Sequence, residues 1–251
     1  MSATAERDVV FVHSSDLHLS ADPVLRPSSS ADRLSVLRAV LATATGARAD
    51  FVILAGDTFD HNRQPPELVE RAAQIIGDFG APIVILPGNH DPLTPDSVYR
   101  DPRIAAARNV CVLGLTVEET VAFAALEVEV RGKAHRDYFD MSPLAKPAAR
   151  STCRRIVAAH GHYVEEPEEP GRLVGSWLIR REELIATGAD YVALGHWNRA
   201  ARVGDECIHA YYSGCPEYAG TVNVVRLQRN GPVEVTRASL HCSAILTSAR
   251  L

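Results

Sequence analysis

Three short apolar runs, each followed at once by a polar segment, constrain the fold of this chain more than any other feature of its sequence. They occupy residues 9–12, 51–54 and 83–86. Apolar, β-branched runs of this length that end at turn residues are typical of strands buried on both faces of a sheet. Because helical patterns separate the runs, we expect parallel strands joined by helical crossovers, and therefore an α/β fold.

The helical patterns between the runs have recognisable limits. Residues 31–45 carry apolar side chains at helical spacing. The next helix should begin at the proline pair 65–66, present one apolar face and end at Gly80. A weaker helix is predicted over residues 96–108. Helices in these places would supply the crossovers of the sheet.

The second half of the chain is richer in predicted strands. A helix is expected over residues 180–187, stopped by Gly188, and a turn is expected at Asn230 and Gly231. We find no internal repeat and no long linker, so we expect one domain over residues 1–251. The predicted strands lie at residues 110–113, 121–130, 155–159, 191–194, 208–212 and 221–227, and the predicted loops at 143–151 and 165–171.

Composition and charge narrow the function classes. The chain has 26 basic and 31 acidic side chains and a formal net charge of −5, which disfavours a broad electrostatic grip on nucleic acid. Its five cysteines are scattered without a C-x-x-C pair, so we expect neither a disulfide framework nor a zinc knuckle. Without a signal-peptide pattern or an apolar stretch of about 20 residues, we expect a soluble cytoplasmic protein with no membrane partner.

The polar segments after the apolar runs carry the chemistry. The carboxyl ends of parallel strands form the edge of an α/β sheet where ligands bind. Carboxylate, amide and imidazole groups at such an edge are typical ligands of divalent metals, so the sequence predicts a metal site there. The segments are Asp16-Leu17-His18, Gly56-Asp57-Thr58-Phe59-Asp60 and Gly88-Asn89-His90-Asp91, and two later predicted strands end at His160 and at Gly195-His196.

In this order the segments resemble the motifs of the calcineurin-like metallophosphoesterases, and the resemblance extends from Phe11 to about Leu227. Residues 13–19, 190–196 and 212–217 are most similar to segments of the DNA-repair exonuclease branch of that family. The resemblance implies a four-layer α/β/β/α sandwich of two mixed sheets, with a dinuclear metal site at the C-terminal strand ends.

The resemblance also implies the metal ligands, residue by residue. Asp16 and His18 would bind the first ion, Asp57 would bridge both ions, and Asn89, His160 and His196 would hold the second. His162, two residues after His160, is the alternative ligand. We favour His160 because it directly ends its predicted strand.

Two further residues acquire catalytic roles from the resemblance. His90, beside Asn89, would stabilise the transition state or protonate the leaving alkoxide. Asp60 would orient His90, since a carboxylate commonly fixes the tautomer of an imidazole. Asp91 is expected to tie its loop rather than to contact substrate.

The last motif of the family is usually Gly-His-x-His, and this chain departs from it with Gly195-His196-Trp197-Asn198. At the last position, Asn198 would offer the first metal a neutral carbonyl oxygen, which suits hard ions better than borderline ones. We therefore expect two divalent ions, with the first weakly held. Manganese is favoured, and iron, zinc and magnesium remain alternatives.

Other polar residues have a plainer interpretation. Lys133, His135 and Arg136 follow a predicted strand and could meet a substrate phosphate, but a solvated turn is favoured. His13 is expected to be a packed or hydrogen-bonded residue at the edge of the core. Ordinary polar roles are expected of Asp22, His61, His209 and His241.

The function implied is hydrolysis of a nucleotide or other phosphate diester by attack of a metal-bridged hydroxide. The alternatives are a DNA exonuclease or endonuclease, a small-molecule phosphomonoesterase, and a regulatory homologue weakened by Asn198. Nucleases of the branch that the chain resembles carry an added DNA-contacting region and a helical arm. Because this chain is acidic and ends soon after its last predicted strand, we expect a stand-alone phosphodiesterase whose partner is the substrate rather than nucleic acid.

Overall fold

A computed structural model describes residues 7–21, 34–165 and 176–240 of the chain. Asp22, His241, the first residues of the first predicted helix and most of the predicted loop at 165–171 lie outside this range. Within it the strands are β1 (Val9–Ser14), β2 (Phe51–Ala55), β3 (Ile83–Leu86), β4 (Val110–Val112), β5 (Thr120–Phe123), β6 (Val128–Gly132), β7 (Arg154–His160), β8 (His162–Val164), β9 (Leu178–Arg180), β10 (Tyr191–Gly195), β11 (Ala201–Val203), β12 (Ala210–Tyr212), β13 (Thr221–Leu227) and β14 (Val233–Ser239). The α-helices are α1 (Leu34–Gly46), α2 (Pro66–Gly77), α3 (Pro102–Ala105), α4 (Arg181–Ala186) and α5 (Pro216–Ala219).

The strands form two mixed sheets of six, which confirms the predicted fold class. The first sheet has the order β14-β13-β1-β2-β3-β4, and the second has the order β11-β12-β10-β7-β6-β5. Strands β1 to β4 run parallel, as expected from the helical crossovers between them. Antiparallel strands complete the edges of both sheets. A separate pair, β8 and β9, lies outside the two large sheets.

Alternating side chains of the second sheet feed two different cores. In β7, Ile156 and Ala158 belong to the large core shared with the first sheet, whereas Val157 and Ala159 belong to a smaller core that includes Leu184 of α4. On the first sheet, α1 contacts β1 and β2. This alternation places one sheet against the other, with helices outside. The carboxyl ends of β1, β2, β3, β7 and β10 therefore meet at one edge.

The structure corrects two of the predicted elements. Residues 121–130 are not one strand but the hairpin β5–β6, whose turn is a 3₁₀ helix at Ala124–Leu126 followed by Glu127 with a φ of 51°. Residues 96–108 are not one helix but a 3₁₀ turn followed by the short α3. Pro102 separates the two because it lacks an N–H, and the Asp101 carboxylate caps α3 by accepting from Arg103 N.

Two chain-wide expectations can be compared with the described part of the chain. Cys111, Cys153, Cys207 and Cys215 are free thiols, in keeping with their scatter, and Cys242 lies outside the described residues. Among the described residues, none of the helices combines the length and the apolar character that a membrane crossing would need.

Candidate metal centre

The candidate site lies where five strands end. Asp16 and His18 follow β1, Asp57 and Asp60 follow β2, Asn89 and His90 follow β3, His160 ends β7 and His196 follows β10. Two groups of these side chains come together, with ligand atoms within 4.8 Å of one another: Asp16, Asp57 and His160 in one, and His18, Asp57 and His90 in the other. Asp57 is common to both groups. This shared position is compatible with the bridging role expected of Asp57, which stays a prediction.

The turns that present these ligands have an unusual backbone. Asp16, His18, Asp57 and His196 have φ values of 56°, 46°, 51° and 104°, a region that residues other than glycine seldom occupy. Each such residue costs on the order of 1–3 kcal/mol, and strain of this kind clusters at functional sites. Backbone bonds hold the turns, from Asp16 N to Gly56 O and from His18 N to Asp57 O, each 3.0 Å long. These bonds therefore hold the strand ends in the conformation that directs the candidate ligands toward one another, at the edge where the two sheets meet.

A glycine directly precedes three of the candidate ligands, and close packing requires it. A Cβ at Gly56 would lie 1.9 Å from His160 Nδ1, and one at Gly195 would lie 1.9 Å from the carbonyl oxygen of Ala55. At Gly88 it would lie 2.2 Å from Asp57 Oδ1. The sequence analysis included these glycines in the motif segments but gave them no role of their own. Their place immediately before a ligand was the signal that could have identified them as part of the site.

His160, rather than His162, faces Asp57. The fully buried ring of His160 donates from Nδ1 to the carbonyl oxygen of Ala55 at 2.9 Å, which leaves Nε2 free to act as a ligand. That Nε2 lies 3.1 Å from Asp57 Oδ2 and 3.0 Å from Asn89 Oδ1. His162 instead accepts from Trp197 Nε1 at 3.0 Å. The geometry thus distinguishes the two alternatives that the sequence left open.

The charge at the site is negative and buried. Asp16 and Asp57 are each 2% exposed, and within the described part of the chain neither forms an ion pair with a lysine or arginine. Burial raises the pKa of the Asp16 carboxyl. Burial also acts to raise the pKa of Asp57, but the adjacent His160 outweighs it and holds that pKa well below its usual range. Two carboxylates with imidazole and amide donors fit divalent cations.

Asp60 takes a place that differs from the expected one. Its backbone carbonyl, not its carboxylate, accepts from His90 Nδ1 at 3.0 Å. Its carboxylate lies 3.0 Å from His18 Nδ1. The reason is local: Asp60 N bonds to Leu19 O at 3.1 Å, which draws the residue toward the segment after β1. Asp60 therefore contacts both histidines through different atoms.

Asp91 ties the loops after β2 and β3, as the sequence analysis expected. Its carboxylate accepts from Gly88 N at 2.7 Å, Phe59 N at 2.8 Å and the hydroxyl of Tyr99 at 2.5 Å. Burial, with the charge of Asp57 nearby, raises the pKa of Asp91 to about 6. These bonds fix the segment that carries Asn89 and His90.

The residues of the last motif, His196 and Asn198, follow β10 in the second sheet. His196 N donates to the Asp16 carboxylate at 2.9 Å, and the His196 ring centroid is 5.3 Å from that of His160. His196 belongs to neither of the two groups above. Asn198 is exposed, and its backbone carbonyl accepts from Cys215 N at 3.1 Å. Their roles as metal ligands stay predictions.

The structure corrects the interpretation of the segment after β6. His135 is not in a solvated turn: it is fully buried, and its Nε2 donates to the backbone carbonyl of His160 at 2.9 Å. Burial lowers the pKa of His135 to about 4. Lys133 donates to Ser142 O at 2.9 Å and Arg136 remains exposed. His13 is buried, with Nδ1 2.9 Å from the hydroxyl of Tyr191, as expected of a hydrogen-bonded core residue.

Sequence reasoning missed one residue beside the site entirely. The Trp177 ring lies 5.8 Å from the His196 ring and 5.6 Å from the His135 ring. Trp177 also donates from Nε1 to Phe139 O at 3.1 Å. Its surroundings in the sequence contain no motif, so only the folded chain reveals it.

Comparison with known proteins gives a consistent family. A family model described as calcineurin-like phosphoesterase matches residues 9–235. A subunit of the nuclease SbcCD of Bacillus subtilis is 26% identical over 82% of this chain and 61% of its own length. The DNA double-strand break repair protein Mre11 of Archaeoglobus fulgidus is 27% identical over 55% of this chain and 35% of its own. The chain thus spans less than two thirds of the length of these curated relatives.

Solved structures show the same fold at low sequence identity. A putative 5'-nucleotidase from Staphylococcus aureus gives a TM-score of 0.57 at 16% identity, over 92% of this chain and 53% of that one. The protein TT1561 of Thermus thermophilus gives a TM-score of 0.57 at 12% identity, over 91% and 98% of the two chains. At these identities the likeness concerns the fold alone.

Proposed function

This chain belongs to the calcineurin-like phosphoesterase family, and from that premise we propose that it is a phosphodiesterase with a dinuclear metal centre. The observation that carries the proposal is the position of Asp57, whose carboxylate belongs to both groups of candidate ligands. Within the described residues, Asp57 and Asp16 find histidine but no lysine or arginine as a charged neighbour. A pair of divalent ions is the group that would balance them, and we favour manganese.

The side chains of the site would hold the metals in a preorganised frame. When bound, two divalent ions would supply positive charge for the phosphate oxygens and lower the pKa of a water. His160 is oriented by its bond to Ala55 O, so its Nε2 needs no rearrangement to serve as a ligand. Asp16 is likewise held by the backbone N–H of His196. Such fixed ligands avoid reorganisation during the reaction.

His90 is the residue placed to hold a proton at the leaving oxygen. Its backbone N–H donates to Asp57 Oδ1 at 2.9 Å, and its ring nitrogen Nδ1 donates to Asp60 O. The carbonyl can only accept, so the second ring nitrogen, Nε2, is the one available to substrate. His90 is exposed, unlike the buried ligands around it. A protonated Nε2 can give its proton to an alkoxide as the ester bond breaks.

The preference for a diester is supported by the curated relatives. One is named a nuclease subunit and another a DNA double-strand break repair protein, and nucleases cleave phosphodiesters. A DNA nuclease is therefore the variant of this proposal that retains the same chemistry. A phosphomonoesterase is the second candidate, because two metal ions and a proton donor can also cleave a monoester. A weakened homologue is disfavoured because Asp57, Asn89 and His90 are all present.

The test is hydrolysis of a chromogenic diester, bis(p-nitrophenyl) phosphate, and of its monoester counterpart, with added Mn²⁺. The control for contaminating phosphatases is Asp57→Asn, purified in parallel. We expect faster turnover of the diester, absent from the control. Preference for the monoester would replace the diester proposal with a phosphatase. No turnover of either ester, or equal turnover by the control, would overturn the proposal altogether.

A further inference from the structure

A cavity of about 330 Å³ lies beside the candidate metal centre, on the side of His196. It is lined by His162, His196, Trp197, Asn198 and Arg199. Its volume is at the lower end of the range for small-molecule sites, which suits a single ring system. Because His196 N is bonded to Asp16, a group in this cavity would sit next to a phosphate held at the metal centre.

The indole of Trp197 forms a rigid wall of this cavity. Its ring stacks on Tyr212 with the centroids 4.2 Å apart and the planes 4° from parallel. Its Nε1 donates to His162 Nδ1 at 3.0 Å. These two contacts fix the ring: Tyr212 covers one of its faces, and the residue contributes to the wall of the cavity. A fixed aromatic surface loses little entropy when a second planar ring stacks on it.

The rest of the lining supplies hydrogen-bonding groups. Because His162 Nδ1 accepts from Trp197 Nε1, the other ring nitrogen, Nε2, is the one that can donate. Asn198 and Arg199 are both exposed, and within the described residues no hydrogen bond occupies either side chain. An amide can donate and accept at once, and a guanidinium adds a fork of donors. Together these groups complement a flat heterocycle with a polar edge.

We propose that this cavity binds the nucleobase of a nucleotide-containing phosphodiester. The base would stack on Trp197, and Asn198 and Arg199 would contact its polar edge. The inference rests on the proposed function and deepens it by naming the substrate class. It also gives Asn198 a role in selecting the substrate, in place of the role as metal ligand that the family motif implies.

The first test measures binding without catalysis. Calorimetry on chelator-treated protein compares adenosine 5'-monophosphate with ribose 5-phosphate, which lacks the base. We expect the nucleotide to bind about tenfold more tightly, since stacking of a base on an aromatic side chain is worth about 1–3 kcal/mol. Trp197→Ala and Asn198→Ala should each remove most of that difference. Arg202→Ala, an exposed arginine on β11 outside the cavity, is the matched control for Arg199→Ala and should retain it.

The second test measures selectivity in turnover with Mn²⁺. It compares thymidine 5'-(p-nitrophenyl phosphate) with methyl p-nitrophenyl phosphate, which has the same leaving group and no base. We expect the preference for the nucleoside ester to fall about tenfold in Asn198→Ala, mainly through KM, with the manganese titration unchanged.

Two results would overturn the inference. One is equal binding of adenosine 5'-monophosphate and ribose 5-phosphate to the unaltered protein. The other is a loss of manganese affinity in Asn198→Ala with an equal fall of kcat on both esters, which would make Asn198 a metal ligand. If neither ester is hydrolysed at all, the proposed function fails, whereas the calorimetry still decides whether the cavity takes a base.

Discussion

Strand β7 carries a buried charge pair at each end, and the two pairs are balanced differently. Near its amino end, Arg155 Nε lies 2.5 Å from Glu129 Oε1. At its carboxyl end, His160 Nε2 lies 3.1 Å from Asp57 Oδ2. All four side chains are at most 5% exposed. One strand therefore offers a comparison between two buried pairs in the same protein.

The amino-end pair is balanced in charge within the chain, although the buried Nη2 of Arg155 has no hydrogen-bond partner among the described residues. Glu129 also accepts from Ser151 N at 3.0 Å, and Arg155 donates from Nη1 to Ala148 O at 2.9 Å and to Thr187 O at 3.2 Å. One negative charge meets one permanent positive charge. Such a pair is costly to break because the surviving charge stays buried.

The carboxyl-end pair is incomplete. Asp16 brings a second carboxylate into the group that contains Asp57 and His160. The basic partner of these two carboxylates is the titratable imidazole of His160 rather than a guanidinium. The comparison teaches how to separate structural from functional charge. A buried carboxylate neutralised by arginine belongs to the fold, whereas an excess of buried carboxylates beside histidine is the arrangement expected of a metal site.

The largest expected effect is loss of activity on changing Asp57→Asn, which removes the charge but retains an acceptor for His90 N. We expect kcat/KM to fall on the order of 1000-fold, because metal charge stabilisation is worth several kcal/mol. Metal content should fall with it. The measurements are steady-state kinetics and metal analysis of the purified variant. If Asp57→Asn kept its full metal content and turnover, the pair at the carboxyl end of β7 would have no role in metal binding.

The counterpart at the amino end is Glu129→Gln, the same change of carboxylate to amide. Here we expect the free energy of unfolding to fall by about 3–5 kcal/mol, because Arg155 keeps its buried charge without a counter-ion. The kcat/KM of the folded protein should match that of the unaltered chain. Urea unfolding checks the stability. An unchanged free energy of unfolding in Glu129→Gln would contradict the structural role of the pair at the amino end of β7.

Metal removal should separate the two ends further. With free metal at 100 times its Kd, chelation should lower the unfolding free energy by about 2.7 kcal/mol, because the metal binds only the folded state. The effect should be lost in Asp57→Asn and kept in Glu129→Gln. Thermal or urea unfolding with and without chelator measures it. A chelation effect that persists in Asp57→Asn would place the metal elsewhere.

The smallest expected effect is the pH dependence of the amino-end pair. Burial acts to raise the pKa of Glu129, but its bonds to Ser151 and Arg155 outweigh burial and lower that pKa. The pair's stabilisation is therefore fully present above the pKa of an unfolded glutamate, about 4.3, and is lost as pH falls through the lower folded value. The difference in unfolding free energy between the unaltered chain and Glu129→Gln should shrink below about pH 4. An undiminished difference at about pH 3 would contradict the assignment.

The first sheet could be predicted from the sequence better than the edges of the structure. Strand β13 has the predicted limits, Thr221–Leu227, because its valines and leucine mark it as a strand although Asn223 and Arg226 interrupt them. The β5–β6 hairpin was missed because its turn, Ala124–Leu126, contains no glycine, proline or asparagine to signal it. Strand β14 was also missed, since an edge strand with half-exposed residues has no strong apolar pattern.

The site residues that belong to a sequence motif could be predicted. The residues placed at the site only by tertiary contacts could not. The order of strand ends predicted that Asp16, Asp57 and His160 would meet, and the structure brings them together in space. The position of His135 beneath His160, and of Trp177 beside His196, depends on loops from other parts of the chain. Side-chain direction after a turn, as at Asp60, also lies beyond a sequence pattern.

The bond between His196 N and Asp16 joins residues 180 apart in the chain, and the bond between His160 and Ala55 joins residues 105 apart. Contacts across such separations close large loops, and the entropy of closing those loops is lost before the contacts stabilise the protein. The site can therefore assemble only after the two sheets have docked. A cation held there would bind side chains from both sheets at once, so it would oppose their separation without being required for their docking.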